Sequence, residues 1–139
     1  MNRIMIVDDE PTLRDLLQEY LTMNGYETTT AANGAEALSL IDAFSPDLVL
    51  LDLNMPVMDG FSFLGELSRR GAMCRVIIMS SHTDLSSKNA ALRLGASDYL
   101  TKPFYFCQLE GIFEEMKREE RRNSHYLRNS ETPVSKGEG

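Results

Sequence analysis

The chain contains little cysteine and no long hydrophobic segment. Its two cysteines, Cys74 and Cys107, lie in apolar surroundings, show no metal-ligand spacing and do not suggest a disulfide scaffold. The apolar start, residues 1–7, is too short for a signal peptide and leads straight into acidic residues. No stretch approaches the roughly 20 apolar residues that a membrane-spanning helix needs. These absences favour a cytoplasmic protein with no membrane association.

Basic residues are also scarce. The 139 residues include 14 lysines and arginines against 21 aspartates and glutamates, for a formal net charge of −7. Residues 1–120 hold 19 of the acidic and 10 of the basic side chains, whereas residues 121–139 hold 2 and 4. A body this acidic argues against direct binding to nucleic acid. The length and the 42% hydrophobic content are typical of one globular domain with a short appendage.

Five strand patterns alternate with five helical patterns. Three of the strands are almost wholly apolar, as inner strands of a parallel sheet are, and two are β-prone but half polar, which suits edge strands. Apolar side chains between the strands recur at helical spacing, with Pro11 in a first turn and Asn33 at an N-cap. The sequence therefore predicts an α/β fold, a (βα)5 doubly wound parallel sheet. The predicted strands are Ile4–Val7, Glu27–Ala31, Leu48–Leu51, Val76–Met79 and Asp98–Thr101.

The apolar periodicity fades near Arg121. Residues 123–139 are rich in serine, asparagine, glycine and charge, a composition typical of disordered segments. We therefore expect a folded domain over residues 1–120 and a charged, polar tail or linker, partly disordered, over residues 121–139.

Polar side chains follow four of the five predicted strands. In an open α/β sheet the carboxyl ends of the strands share one edge, where ligands bind. Any single residue of this kind is more often a helix cap or a turn residue, but four strands that deliver polar groups to one edge favour a site. The groups are the carboxylates of Asp8, Asp9 and Asp52, the hydroxyl of Ser80 and the ammonium of Lys102.

This set of groups predicts a divalent cation and a phosphoryl group. Two carboxylates about 4 Å apart repel by about 4 kcal/mol at an effective dielectric constant of roughly 20, so a cluster of them takes up a proton or a cation. With only oxygen ligands on offer the cation is hard, and Mg²⁺ combines one or two carboxylates with water and a phosphate. The Lys102 ammonium supplies a second positive charge for the same phosphate.

The motifs, taken in order, resemble the receiver domains of bacterial response regulators, the CheY-like family of two-component signalling. The resemblance covers about residues 2–120 and implies a flavodoxin-like sheet with strand order 2-1-3-4-5. The motifs are Asp8-Asp9, Leu51-Asp52-Leu53-Asn54-Met55-Pro56, Met58-Asp59-Gly60, Ser80 and Tyr99-Leu100-Thr101-Lys102-Pro103-Phe104, with the smaller signatures Asn33-Gly34-Ala35-Glu36-Ala37-Leu38 and Leu94-Gly95-Ala96.

The resemblance implies a phosphoacceptor role for Asp52. In such domains the aspartate takes a phosphoryl group from a phosphohistidine of a sensor histidine kinase or phosphotransfer protein. Mg²⁺, for which Mn²⁺ is expected to substitute, would be held by Asp8, Asp9 and Asp52 and by the backbone carbonyl of Asn54. Lys102 would pair with the bound phosphoryl group.

The resemblance also implies a switch. The Ser80 hydroxyl would bond to the phosphoryl group and Tyr99 would turn inward, which changes the surface formed by the fourth helix, fifth strand and fifth helix. Asn54 and His82 stand where the family tunes hydrolysis of the phosphoryl group, so we expect fairly quick self-dephosphorylation. The peptide bond before Pro103 is expected to be cis. Taken alone, Tyr99 would be a half-exposed edge-strand tyrosine and His82 a solvated loop histidine.

Other protein classes fit these residues less well. A haloacid-dehalogenase-like phosphatase would carry a second carboxylate two residues after its nucleophile, whereas here the pattern is Asp52-Leu53-Asn54. A flavin-binding electron carrier would carry a phosphate-cradling loop where Asp8 and Asp9 stand. A receiver that acts only as a scaffold is disfavoured because no member of the acidic pocket is missing.

Two interpretations of the output stay open. The chain is either a stand-alone receiver that acts by protein–protein contact or the receiver of a longer regulator, and the charged segment after Met116 slightly favours the second. An attached DNA-binding domain would imply homodimerisation on phosphorylation through the face of the fourth helix, fifth strand and fifth helix. The sequence does not identify the partner kinase.

Overall fold

The computed structural model describes residues 2–55, 57–81 and 85–133, with side chains described as far as residue 123. Within these residues, five parallel strands form one sheet in the order β2-β1-β3-β4-β5. The predicted fold class and strand order are both confirmed. The elements are β1 Arg3–Val7, α1 Pro11–Met23, β2 Glu27–Ala31, α2 Gly34–Phe44, β3 Leu48–Asp52, α3 Gly60–Arg70, β4 Arg75–Ser80, α4 Leu85–Arg93, β5 Asp98–Thr101 and α5 Phe106–Pro133.

Burial along the strands explains their order. Every residue of β3 is buried, and β1 and β4 are buried except for their first residues, as expected for strands covered on both faces. The half-exposed strands β2 and β5 lie at the two edges. The parallel register places Val7 beside Leu51 and Ser80 beside Thr101, so the strand ends reach one common edge.

Alternate residues of the strands supply the core. Met5, Val49 and Ile78 point into a cluster of buried side chains that also contains residues of α2 and α3. The largest fully buried member of this cluster is Phe63 of α3. Burial of such a side chain stabilises the fold by roughly 1.5–3 kcal/mol. This packing holds the sheet, and with it the carboxyl ends of the strands, in place.

Side-chain caps fix two of the connections at the carboxyl edge. Asn33 accepts a hydrogen bond from the Glu36 backbone N–H at 2.9 Å and so caps α2. The Glu36 carboxylate accepts from the Ala32 N–H at 3.1 Å, one residue before the cap, so that Asn33 and Glu36 form a variant of the capping box. Asp59, of the Met58-Asp59-Gly60 motif, caps α3 by accepting from the Ser62 N–H at 2.8 Å.

The α5 helix is 28 residues long and ends at Pro133. It thus includes residues 121–133 of the segment expected to be a partly disordered tail, and residues 134–139 lie outside the described residues. The boundary of the folded domain at residue 120 stays a prediction. Although α5 is long, no helix in the described part of the chain is apolar enough over a sufficient length to cross a bilayer.

Candidate functional site

Three carboxylates converge at the carboxyl edge of the sheet. Asp52 is the last residue of β3, and Asp8 and Asp9 directly follow β1. One carboxylate oxygen from each lies within 4.8 Å of the other two. Asp8 and Asp52 are buried and Asp9 is exposed, so the cluster is open to solvent through Asp9. The structure therefore brings together the three acids singled out in the sequence.

Lys102 places its ammonium group among these acids. Nζ donates to Asp8 Oδ2 at 2.8 Å and lies 3.5 Å from Asp52 Oδ2 and 3.9 Å from Glu10 Oε1. Burial by itself lowers the pKa of Lys102, but the hydrogen bond to Asp8 and the charges of Asp8, Asp52 and Glu10 outweigh it and raise the pKa. Lys102 is therefore charged at neutral pH and offsets part of the negative charge of the cluster.

Asp52 is less acidic than an ordinary aspartate. Desolvation raises its pKa from 3.8 to about 6, against the hydrogen bond from the Asn54 N–H and the charge of Lys102, while the charges of Asp8 and Asp9 add to the rise. The Asn54 bond, to Asp52 Oδ1, is 3.1 Å long. Because burial disfavours the ionised carboxylate, binding of either a proton or a cation to Asp52 is favourable.

We expect Asp52→Asn to stabilise the metal-free protein at neutral pH. The pKa of Asp52 is about 6 in the folded state against 3.8 for the free side chain, so the ionised group destabilises the fold above pH 6 and this effect fades as the pH falls towards 4. A rise of this size corresponds to roughly 1–3 kcal/mol. Urea unfolding at pH 7 and pH 4 without divalent ions measures the difference. Equal stability of the two proteins at pH 7 would contradict the burial effect.

The fourth and fifth strands bring the remaining predicted groups to the same edge. Ser80, the last residue of β4, is fully buried and pairs with Thr101 in the register, and Tyr99 in β5 is half-buried. The Lys102 backbone N–H donates to the Ser80 carbonyl at 2.8 Å, which ties the start of the next loop to β4. The peptide bond between Lys102 and Pro103 is cis. Ser80, at the end of β4, and Lys102, directly after β5, are thus held close together at the carboxyl edge.

The structure describes only one of the two residues that are expected to affect hydrolysis of the phosphoryl group. Asn54 is exposed, two residues beyond Asp52, and its backbone is anchored by the bond to the Asp52 carboxylate. His82 lies outside the described residues, so its role stays a prediction.

Gly60, to which the sequence pattern assigns no role beyond membership of the Met58-Asp59-Gly60 motif, affects the geometry of the site. A Cβ atom built on Gly60 would lie 2.6 Å from Leu53 Cα and 2.7 Å from the Asp52 carbonyl oxygen. The Gly60 N–H also donates to the Leu53 carbonyl at 2.9 Å. The start of α3 is therefore pressed against the strand end that carries Asp52, at a distance that only glycine allows.

The donor set fits a hard divalent cation. Asp8, Asp9 and Asp52 offer only oxygen ligands, and the exposure of Asp9 leaves room for water to complete the coordination. Mg²⁺ prefers oxygen ligands and keeps several waters in protein sites. The oxygen donors of these three residues are therefore consistent with a Mg²⁺ site.

Sequence comparison places the chain among signalling proteins. The family model for the response regulator receiver domain matches residues 4–114. The DNA-binding transcriptional regulator NtrC of Escherichia coli K12 is 40% identical over 123 residues, which are 88% of this chain and 25% of NtrC. The chain spans 25% of the length of the regulatory protein AtoC of Escherichia coli and 48% of that of the probable transcriptional regulator ycf27 of Cyanophora paradoxa.

Solved structures share the fold. A CheY-like receiver domain protein from Methanospirillum hungatei has a TM-score of 0.79 and 29% identity, covering 88% of this chain and 98% of that one. The response regulator TrrA from Thermotoga maritima, solved in complex with Mg²⁺-BeF, has a TM-score of 0.73 and 36% identity, covering 83% and 98%. With the family model matched over most of its length, this chain belongs to the response regulator receiver domains of two-component systems.

Proposed function

We propose that this receiver domain is a Mg²⁺-dependent phosphoacceptor, in which Asp52 takes a phosphoryl group from a phosphohistidine of a sensor histidine kinase or phosphotransfer protein. One observation carries the proposal. A buried carboxylate at a strand end has two further carboxylates within 4.8 Å and an ammonium nitrogen at 3.5 Å. Acids alone would form a cation site, and the added ammonium supplies a second positive charge suited to phosphoryl oxygens.

Each residue of the site has a separate role in phosphoryl transfer. An Asp52 carboxylate oxygen bonds to phosphorus as the bond from phosphorus to the donor nitrogen breaks. The carboxylates of Asp8, Asp9 and Asp52 and the backbone carbonyl of Asn54 would hold Mg²⁺, which, when bound, offsets the charge of the phosphoryl oxygens. Mn²⁺, with the same preference for oxygen ligands, is expected to substitute. Lys102, 3.5 Å from Asp52 in the unmodified protein, turns its ammonium towards the new phosphoryl group.

The phosphoryl group acts as a switch through its charge. It adds roughly −1.5 to −2 charges in one step, and it shifts a two-state equilibrium only as far as it interacts differently with the two states. Ser80, at the end of β4, and Lys102, directly after β5, supply that difference, and a change in the orientation of Tyr99 alters the surface of β5. Asn54 and His82 set how fast water removes the group.

The output of the switch is regulation of a partner protein or of an attached output domain. Relatives that extend well beyond the length of this chain include a DNA-binding transcriptional regulator, which supports an output domain of that kind. The residues expected to respond are those of α4, β5 and α5, and we expect phosphorylation to promote homodimerisation through them in the cytoplasm.

Intact-mass measurement after incubation with Mg²⁺ and acetyl phosphate tests the proposed function. We expect one added phosphoryl group in the wild type, and none in Asp52→Asn or when Mg²⁺ is withheld. Asp42→Asn is a matched control because the Asp42 side chain is 93% exposed in α2, and this variant should be modified like the wild type. Failure to modify the wild type, under conditions that modify another receiver domain, would contradict the proposal.

A further inference from the structure

We propose that Arg14 is a positioning residue for the metal site, which holds the peptide between Asp8 and Asp9 and so aims the Asp9 carboxylate into the acidic cluster. The inference rests on the proposed function. Arg14 lies in the first turns of α1, and its Nη1 donates to the Asp8 carbonyl oxygen at 2.8 Å. It was not among the residues that the sequence pattern singled out.

The Asp8 carbonyl depends on this bond. Asp8 is fully buried, and a buried carbonyl without a hydrogen-bond partner is unfavourable. The carbonyl belongs to the planar peptide unit that joins Asp8 to Asp9, so fixing its oxygen fixes the direction in which the chain enters Asp9. A charged donor such as guanidinium makes a shorter and stronger bond than a neutral donor, which suits it to hold one orientation.

The two neighbouring aspartates are held in different ways. The Asp8 carboxylate accepts from the Glu10 N–H at 2.9 Å and from Lys102 Nζ at 2.8 Å. Asp9 is exposed, and within the described part of the chain its carboxylate accepts no hydrogen bond of its own. The position of Asp9 in the cluster is therefore set by its backbone, and the Arg14 bond anchors the peptide just before it.

Arg14 closes the β1–α1 connection from two sides. Its backbone N–H donates to the Glu10 carbonyl at 3.1 Å, while its side chain reaches back to the Asp8 carbonyl. The backbone bond is the first helical bond of α1, and the side-chain bond therefore ties the loop that carries the proposed metal ligands Asp8 and Asp9 to the start of the helix.

A positioning role and a purely electrostatic role of Arg14 predict opposite effects on Mg²⁺ binding. By Coulomb's law alone, a cation beside three carboxylates repels Mg²⁺, so loss of the Arg14 charge would tighten Mg²⁺ binding. If Arg14 instead positions Asp9, its loss weakens Mg²⁺ binding, because one carboxylate is no longer aimed at the ion. The sign of the change in affinity therefore separates the two roles.

Calorimetric titration of Mg²⁺ into the full chain, without a phosphodonor, tests the inference. Arg14→Met keeps the length of the side chain but removes donor and charge, and we expect it to weaken Mg²⁺ binding by about tenfold. Arg14→Lys, which keeps a charged donor, should recover most of the affinity. Arg93→Met removes the same charge from an exposed position in the last turn of α4 and should leave the affinity unchanged.

Amide hydrogen exchange in the Mg²⁺-free protein gives a second readout. We expect faster exchange at Asp9 and Glu10 in Arg14→Met, and Arg14→Gln takes the place of this variant in both measurements if Arg14→Met does not fold. Unchanged or tighter Mg²⁺ binding in the folded variant would overturn the inference. The proposed function is judged separately: it fails if the wild type takes up no phosphoryl group, whatever the Mg²⁺ affinity of the Arg14 variants.

Discussion

Replacing Lys102 with methionine is expected to lower the free energy of unfolding of the metal-free protein by about 3 kcal/mol at pH 7. The variant leaves Asp8, which is fully buried, without its 2.8 Å bond from Nζ. It also removes the positive charge 3.5 Å from Asp52, whose side chain is only 7% exposed. Mg²⁺ should restore much of the stability, because the ion offsets the same charges and binds only the folded protein. Urea unfolding with and without Mg²⁺ measures both effects.

The same variant separates metal binding from phosphoryl transfer. Removal of one positive charge should tighten Mg²⁺ binding, whereas loss of the ammonium that faces the phosphoryl oxygens should slow phosphoryl uptake by about two orders of magnitude. Calorimetry gives the first quantity and the growth of the phosphorylated mass with time gives the second. Lys88→Met, at an exposed position in α4, is the control for loss of charge. Uptake by Lys102→Met at the wild-type rate would rule out the role assigned to Lys102.

Gly60→Ala is expected to destabilise the protein by about 2 kcal/mol and to weaken Mg²⁺ binding. The added methyl group would lie 2.6 Å from Leu53 Cα and 2.7 Å from the Asp52 carbonyl oxygen. These are backbone atoms of a buried strand end, which cannot rotate aside as a flexible side chain does. Relief of the overlap requires a shift of the start of α3 or of the strand end that carries Asp52, and we expect the latter to disturb the acidic cluster. Urea unfolding and Mg²⁺ titration measure the two consequences.

Gly65→Ala provides the matched control in the same helix. A Cβ atom on Gly65 meets nothing within 4 Å. Because alanine favours helix more than glycine does, this variant should be more stable than the wild type by roughly 0.5–1 kcal/mol, with unchanged Mg²⁺ affinity. Equal stability of Gly60→Ala and Gly65→Ala would show that the close approach of α3 to β3 has no energetic consequence.

The sequence predicts the sheet well because the burial of each strand is reflected in its composition. The apolar strands β1, β3 and β4 differ from the half-polar strands β2 and β5, and this difference alone separates inner from outer strands. The strand order itself came from the family resemblance, since periodicity does not state which strands pair. The meeting of Asp8, Asp9, Asp52 and Lys102 followed from the rule that parallel strands end at one edge.

Other features of the site depend on contacts that form only in the folded structure. The Glu10 carboxylate lies 3.9 Å from the Lys102 ammonium group, 92 residues further along the chain. No local sequence pattern predicts a contact between residues so far apart. Arg14 donates a hydrogen bond to the Asp8 carbonyl, and the backbone of Asp52 and Leu53 leaves no room for a side chain at Gly60. An Asp-Gly pair signals a turn, but not which strand that turn touches.

The length of α5 shows where composition and local propensity differ. The helix continues to Pro133 through a segment rich in serine, asparagine and charge, and partial disorder of residues 121–139 stays a prediction. Glutamate and arginine are good helix formers, and pairs one turn apart stabilise a helix. Glu115 lies 2.9 Å from Arg118, one turn on, and such a pair supports the helix where its apolar face ends.

Locating the acyl phosphate decides most directly whether Asp52 is the phosphoacceptor. Protein incubated with Mg²⁺ and acetyl phosphate is treated with borohydride, which reduces an aspartyl phosphate to homoserine, and the modified residue is found by peptide mass spectrometry. We expect homoserine in place of Asp52 and at no other position. Homoserine in place of Asp8 or Asp9, or phosphoryl uptake that leaves Asp52 unmodified, would contradict the mechanism.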